Sequence, residues 1–271
     1  MKKIIKRIVA VLLILSILII GLSGCGEKTY KTSVKDIKKK GTLIIGLDDT
    51  FAPMGFRDEN NNLVGFDIDL ARAVCKEMGV EAVFQPLNWG EKEKELNEGK
   101  IDCIWNGLSI TPERSEKLAM SQPYLNNKII IMTNEGVTID ELSDLEHQKI
   151  GIQSGSAALD AVKAGPMYSQ IKDNIKEYPI YESVIIDMLS GKLDCMIVDE
   201  VHGKYKNDEL ENIFGVAKYD FGDDLYGIGF RSTDIELKEE INHILNMLTH
   251  DGIAGDISKK WFGEDIVVKN N

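Results

Sequence analysis

Cysteine, histidine and positive charge are all scarce in this chain, and each shortage removes a class of function. The 4 cysteines, Cys25, Cys75, Cys103 and Cys195, include no C-x-x-C pair. They do not read as a disulfide framework or a sulfur-ligated metal site. The 4 histidines, His147, His202, His243 and His250, make no H-E-x-x-H or other ligand spacing, so no metal and no cofactor is expected. The 44 Asp and Glu outnumber the 32 Lys and Arg, for a net charge of −12. A chain of that sign is a poor match to nucleic acid or to an anionic membrane surface. Low-complexity tracts are missing as well. The 271 residues suffice for one large domain or two smaller ones.

One apolar run stands out, over 8–20, behind Lys2, Lys3, Lys6 and Arg7. Its shortness and basic flank mark a secretory signal rather than an ordinary membrane helix. Leu22-Ser23-Gly24-Cys25 follows and resembles the bacterial lipobox, whose cysteine thiol is acylated. A plain signal peptide, or an uncleaved anchor with an incidental cysteine, would share the same run. The expectation is a lipoprotein signal peptide over 1–24, a lipid on Cys25 and a tether over 25–40 carrying a short helix at 34–40. The mature chain would then sit at the cell membrane, lipid-anchored on its extracytoplasmic face.

A short motif occurs twice. Gly99-Lys100-Ile101-Asp102-Cys103 and Gly191-Lys192-Leu193-Asp194-Cys195 each follow a helix-like run and lead into an apolar strand. The copies stand too far apart for a solenoid period, so they point to two α/β lobes built alike. In such sheets ligands bind outside the carboxyl ends of the strands. The first strand ends in Asn106-Gly107-Leu108-Ser109, the second in Asp199-Glu200.

Patterning along the chain agrees. The spacing predicts strands over 43–47, 81–85, 101–105, 149–152, 193–198 and 225–230. Helices are expected over 66–78 (stopped by Gly79), 91–98, 183–189, 235–248 and 255–262. Thr111-Pro112 reads as a helix start, with Thr able to cap and Pro suited to the first position. Gln153-Ser154-Gly155-Ser156 enters a helix directly from a strand, a natural anion cradle. The expected fold is α/β, two lobes with mainly parallel sheets joined by a two-strand hinge near 126–133 and 219–225. Lobe 1 would comprise 41–127 and 225–271, and lobe 2 128–224. Hinge closure around a ligand is a known transition of such pairs.

Several residues carry chemistry. Arg114 lies in the first turn of a helix, where a cation gains nothing from the dipole. A bidentate fork onto a carboxylate would explain it, and so would a plain exposed arginine. Asp199 ends a buried strand and could accept hydrogen bonds from an ammonium group, or act as a helix cap or ion-pair partner. Phe51 and Trp89 follow strand-like runs in loops, where aromatic faces can sandwich a side chain or stack on a cation; ordinary core packing is the commoner fate of an aromatic. Asp48, Ser109 and Ser156 are weak signals singly. Together, one Arg for a carboxylate, one Asp for an ammonium and aromatics between them describe a receptor for a free amino acid.

The chain resembles the polar amino acid substrate-binding proteins of ABC importers, extracellular solute-binding protein family 3, whose fold is type II periplasmic binding protein-like. The carrying motifs are Phe51-Ala52-Pro53, Gly65-Phe66-Asp67-Ile68-Asp69-Leu70-Ala71, Ser109-Ile110-Thr111-Pro112-Glu113-Arg114, Gln153-Ser154-Gly155-Ser156 and Val198-Asp199-Glu200. The resemblance implies that Arg114 grips the ligand α-carboxylate, aided by Ser109 and the backbone N–H of Ser156. It implies that Asp199 holds the α-ammonium, with the Gly107 carbonyl as a second acceptor. Phe51 would cover one face of the side chain, Trp89 would form a wall, and Asp48 would meet the polar end. Some relatives tie the helix containing Cys75 to the next strand by a disulfide; residues 80–85 here contain no cysteine, so Cys75 is expected free. A permease partner and a monomeric state also follow from the resemblance.

Two other classes share the fold. Dehydratases acting on prephenate or arogenate need a general acid in the cleft. Glu200 follows Asp199 but points to the opposite face of a strand, and no other acid is evident, so an enzyme is not expected. A sensory module that reports ligand to a membrane receptor would need a second protein. Asp48 with Trp89 suits a cationic side chain. The expected order of ligands is arginine or another basic amino acid, then cystine, then glutamine.

Overall fold

The computed structural model describes residues 30–270, so the expected signal peptide, Cys25 and the start of the tether lie outside the described residues. Residues 31–271 form one compact unit. In chain order the elements are α1 (Val34–Lys40), β1 (Thr42–Leu47), β2 (Thr50–Phe51), β3 (Gly55–Arg57), β4 (Leu63–Val64), α2 (Phe66–Met78), β5 (Glu81–Pro86), α3 (Lys92–Asn97), β6 (Cys103–Ser109), α4 (Pro112–Lys117), β7 (Leu118–Met120) and β8 (Leu125–Thr133). Then come β9 (Ile150–Gln153), α5 (Ala157–Ala164), α6 (Tyr168–Ile171), β10 (Ile175–Tyr178), α7 (Tyr181–Leu189), β11 (Cys195–Asp199), α8 (Glu200–Glu209), β12 (Gly215–Val216), β13 (Gly222–Arg231), α9 (Ile235–His250) and α10 (Ile253–Phe262).

The helices follow their apolar spacing. In α2, Phe66, Leu70, Ala71, Val74 and Met78 share the buried face, and Gly79 closes the helix in the left-handed region at φ 71°. In α9, Leu237, Ile241, Ile244, Leu245 and Leu248 do the same. Cys75, Cys103 and Cys195 are free and buried. Burial pushes the Cys75 and Cys195 thiols up to about 12, so they are inert packing groups.

The fold is mixed α/β. The principal sheet runs β10-β9-β11-β8-β13-β6-β1-β5. One end is parallel (β5, β1, β6) and so is the other (β10, β9, β11). We call the parts built on these ends the first and second lobes. Between them lie β8 and β13, antiparallel to each other and to their neighbours. β13 pairs with β8 through Gly222–Tyr226 and with β6 and β7 through Tyr226–Arg231. One strand thus reaches both lobes.

The repeated motif explains itself in both lobes. Asp102 accepts the Ile44 N–H at 2.7 Å, and Asp194 accepts the Lys149 N–H at 2.7 Å. In return the Asp102 and Asp194 N–H groups donate to the Ile44 and Lys149 carbonyls. Each aspartate therefore pins the start of the neighbouring strand, β1 or β9, to its own.

Three local expectations change. Residues 34–40, placed in the tether by sequence, dock on the first lobe: Ser33 and Asp36 form a capping box, and Ile37 is fully buried. The loop over 48–53 contains β2, which pairs with β3. Strand β6 continues past Trp105 through Ser109 because Leu108 and Ser109 find partners in Gly227 and Tyr226 of β13.

Candidate functional site

Strand β1 leads into Asp48, β6 carries Asn106, Gly107 and Ser109, and α4 carries Arg114. From the second lobe come Gln153 and Ser156, between β9 and α5, and Asp199, at the end of β11. These groups and the aromatics Phe51 and Trp89 line one space. All eight residues singled out by sequence (Asp48, Phe51, Trp89, Gly107, Ser109, Arg114, Ser156 and Asp199) line it; Asn106, Gln153 and Ala157 complete it.

Arg114 is held by its surroundings. Thr111 caps α4 by accepting the Arg114 N–H, with Pro112 at the helix start. The guanidinium donates through Nη1 to the Ser109 carbonyl at 3.0 Å and through Nη2 to the Gly155 carbonyl at 3.1 Å, and lies 3.6 Å from Asp160. Its side chain is 4 % exposed, so the sequence alternative of a plain surface arginine is excluded.

Asp199 is buried and accepts from Tyr226 Oη and Asn127 Nδ2, both at 2.8 Å. Burial and the nearby Asp224 charge push its carboxyl up to about 7, against the pull of Tyr226, Arg114 and Asn127. Its side chain makes no cap on α8. Asp48 accepts from the Thr50 backbone and hydroxyl and from Gln153 Nε2 at 2.7 Å. Its carboxyl is also raised, by burial first, with those hydrogen bonds opposing.

Gly107 adopts φ +56°, and a Cβ there would lie 2.8 Å from the Phe51 ring. A side chain is excluded by conformation and by space. Its N–H donates to buried Asp67 at 2.7 Å, which gives the G-F-D-I-D-L-A motif a physical role. Phe51 stacks on His202 at 4.6 Å between centroids, and His202 donates from Nδ1 to the Ala52 carbonyl at 2.6 Å. Burial drops the His202 pKa to about 3, so the ring is neutral. Ser156 caps α5 by accepting the Leu159 N–H.

The lobes meet around this space. Gln153 reaches Asp48, and Lys92 donates to the Gly155 carbonyl at 2.8 Å and to the Trp89 carbonyl at 3.2 Å. Lys92 also lies 4.9 Å from the Trp89 ring centroid. Burial, with Arg114 beside it, lowers its ammonium to about 7.

Ser109 is engaged differently from what the resemblance implies. Its hydroxyl donates to Asp224 Oδ2 at 2.7 Å and its carbonyl serves Arg114. A hydroxyl has one proton to give, so donation to a ligand carboxylate requires leaving Asp224. Sequence reasoning missed Asp224 and Asn127, which sit in the crossing strands, and Lys92, which reads as one charge among many in a polar helix. Gln153 stood in a quoted motif, and its contact with Asp48 shows only in three dimensions. Among the described residues no cluster of three or more His, Cys, Asp or Glu could hold a metal ion, and no helix is long and apolar enough to cross a membrane.

A buried cation facing a buried carboxylate, with a third charge and aromatic walls beyond, can hold a zwitterion by both ends. Comparison with known proteins agrees. Residues 43–264 match the family of bacterial extracellular solute-binding proteins, family 3, and the chain belongs to it. It is 30% identical over 224 residues to the ABC transporter arginine-binding protein 1 of Escherichia coli, covering 80% of this chain and 89% of that one. It is 26% identical over 250 residues to the L-cystine-binding protein of Escherichia coli, covering 90% and 92%. A substrate-binding protein of an ABC uptake transporter from Streptococcus pneumoniae, solved with bound histidine, superposes with TM-score 0.83 at 33% identity over 87% of this chain and 98% of that one. These relatives are named as binding proteins, two of them of ABC transporters, and none as an enzyme, which is consistent with a non-enzyme.

Proposed function

We propose that this chain captures a free L-amino acid outside the cell and presents it to the permease of an ABC importer. The observation that carries the reading is the meeting of Arg114, Asp199 and Asp48 in one buried space. Arg114 takes the α-carboxylate, helped by the Ser156 N–H at the start of α5, and Asp199 takes the α-ammonium with the Gly107 carbonyl. Phe51 and Trp89 flank the side chain, and Asp48 meets its far end. One cation and two carboxylates leave a net negative lining, which a ligand of net positive charge complements. Arginine or another basic amino acid therefore ranks first, cystine second and glutamine third. The named arginine-binding and histidine-bound relatives support a basic ligand, and the cystine-binding relative supports the second choice.

The lobes are 41–127 with 225–271, and 128–224, closing about β8 and β13; binding requires only a higher affinity for the closed state. The protein acts as a monomer, anchored by a lipid on Cys25 at the outer face of the membrane, behind a signal peptide over 1–24.

The test is a thermal-shift screen of purified protein, unfolded and refolded to remove carried-over ligand. The panel holds the proteinogenic amino acids, ornithine, cystine and prephenate. A ligand at about 100 times its Kd stabilises by about 2.7 kcal/mol. A shift confined to one or two L-amino acids is expected, with a basic one among them. A response to prephenate alone, or to nothing, overturns the reading.

A further inference from the structure

The crossing strands carry a second, half-buried carboxylate next to Asp199. Asp224 on β13 and Asn127 on β8 are directly paired across the strands. Asn127 Nδ2 donates to Asp199 Oδ1 at 2.8 Å and to Asp224 Oδ2 at 2.9 Å. Tyr226 completes the Asp199 end at 2.8 Å, and the Ser109 hydroxyl completes the Asp224 end at 2.7 Å. Asn127, Tyr226 and Ser109 are neutral donors. The cation whose charge reaches both carboxylates is Arg114, and it is engaged with two carbonyls and Asp160. The Tyr181 ring of α7 also feels the Asp199 charge.

Two neighbouring carboxylates, one buried and one half-buried, with a shared neutral bridge resist ionising together. We propose that Asp199 and Asp224, joined through Asn127, hold one proton as a pair near neutral pH and expel it when the ammonium group of a ligand arrives. The inference rests on Asp199 being the ammonium acceptor. Asp224 acts through Asn127 and is a positioning residue. The proton leaves for solvent and the ammonium replaces its charge. Burial raises both carboxyls, and the Asp224 charge adds to it at Asp199, which is pushed up to about 7; this places the effect in the range below neutrality. Because these are coupled groups, the titration belongs to the pair. Two other nearby groups are shifted to about 7: Lys92 would take up a proton on meeting a ligand carboxylate, the opposite sign, whereas Asp67, behind Gly107, could release one with the same sign and is told apart by the Asp224 variants.

The test is calorimetric titration of the purified, refolded protein with L-arginine and with L-cystine. Buffers of different ionisation heat count the protons exchanged at pH 6, 7 and 8. Release of a large part of one proton at pH 6 is expected, falling toward none at pH 8. Affinity should rise with pH by up to about tenfold per unit below neutrality. Asp224→Asn should bind the amino acid with release at pH 6 clearly reduced and a shallower pH profile, the burial of Asp199 remaining, whereas Asp224→Glu, which restores a carboxylate, should keep the wild-type release and slope. If Asp224→Asn does not fold, the wild-type profile and Asp224→Glu decide. Binding without proton release at pH 6, or unchanged release from Asp224→Asn, overturns this inference alone. Failure of both to bind, together with no response to any other amino acid of the thermal-shift panel, removes the amino acid reading of the site, and this inference with it.

Discussion

The two lobes share a construction and differ in chemistry. Each uses the same G-K-x-D-C segment, and in each the aspartate ties the start of one parallel strand to the next. The carboxyl ends of those strands do not repeat. The first lobe brings Asp48, Trp89 and Arg114, while the second brings Gln153, Ser156 and Asp199. The scaffold device repeats while the charged groups differ, so that the buried cation Arg114 and the buried carboxylate Asp199 come from opposite lobes. Residues of the duplicated device should therefore move stability and leave ligand choice alone. Residues at the strand ends should do the reverse.

The sharpest break of that contrast is Arg114→Met. Removing one partner of a buried charge pair costs about 2–5 kcal/mol in binding, or roughly 30- to 5,000-fold in Kd. Titration calorimetry should show this loss for every amino acid that binds, whatever its side chain. A loss confined to basic ligands would mean that Arg114 serves the side chain and not the carboxylate.

Asp102→Ala probes the device itself. Asp102 is 6 % exposed and accepts both the Ile44 N–H and Lys40 Nζ. Its loss strands a backbone donor and a lysine, a cost of about 1–3 kcal/mol. Urea unfolding should show that decrease while the ranking of ligands stays fixed. A change of preferred ligand would show that the scaffold and the site are not separable.

Asp48→Asn lies between these cases. The raised Asp48 carboxyl has neutral donors around it, so a cationic side chain gains most from its charge. Basic ligands should lose about tenfold to a hundredfold, in line with hydrogen bonds to charged groups at about 1.5–3 kcal/mol. Neutral ligands should change little. Equal losses would remove arginine from first place.

Much of this is legible in the sequence. Arg114 announced itself by standing where the dipole of α4 does not favour a cation, and Asp199 by ending an apolar strand. The repeat gave away two lobes because strand starts need the same N–H groups held in both. Asp224 stayed hidden because it meets Asn127 through a cross-strand register that no local spacing encodes. The hydrogen bond from the Ser109 hydroxyl to Asp224 is hidden for the same reason, since the two lie 115 positions apart in sequence. Residues 34–40 read as tether in sequence because a short helix with one apolar anchor, Ile37, looks much like polar linker until its docking face is seen.

The second copy of the device supplies the smallest effect. Asp194 accepts the Lys149 N–H with the same 2.7 Å geometry as Asp102, yet that contact is exposed and the Asp102 contact is partly buried. Water can take over an exposed N–H, and the net worth of such a bond is about 0.5–1.5 kcal/mol. Asp194→Ala should therefore destabilise by less than about 1 kcal/mol, and by less than Asp102→Ala under the same urea conditions. Equal losses would show that solvent access does not set the value of this bond. The two aspartates would then be equivalent in energy as well as in position, and the asymmetry between the lobes would rest on the strand ends alone.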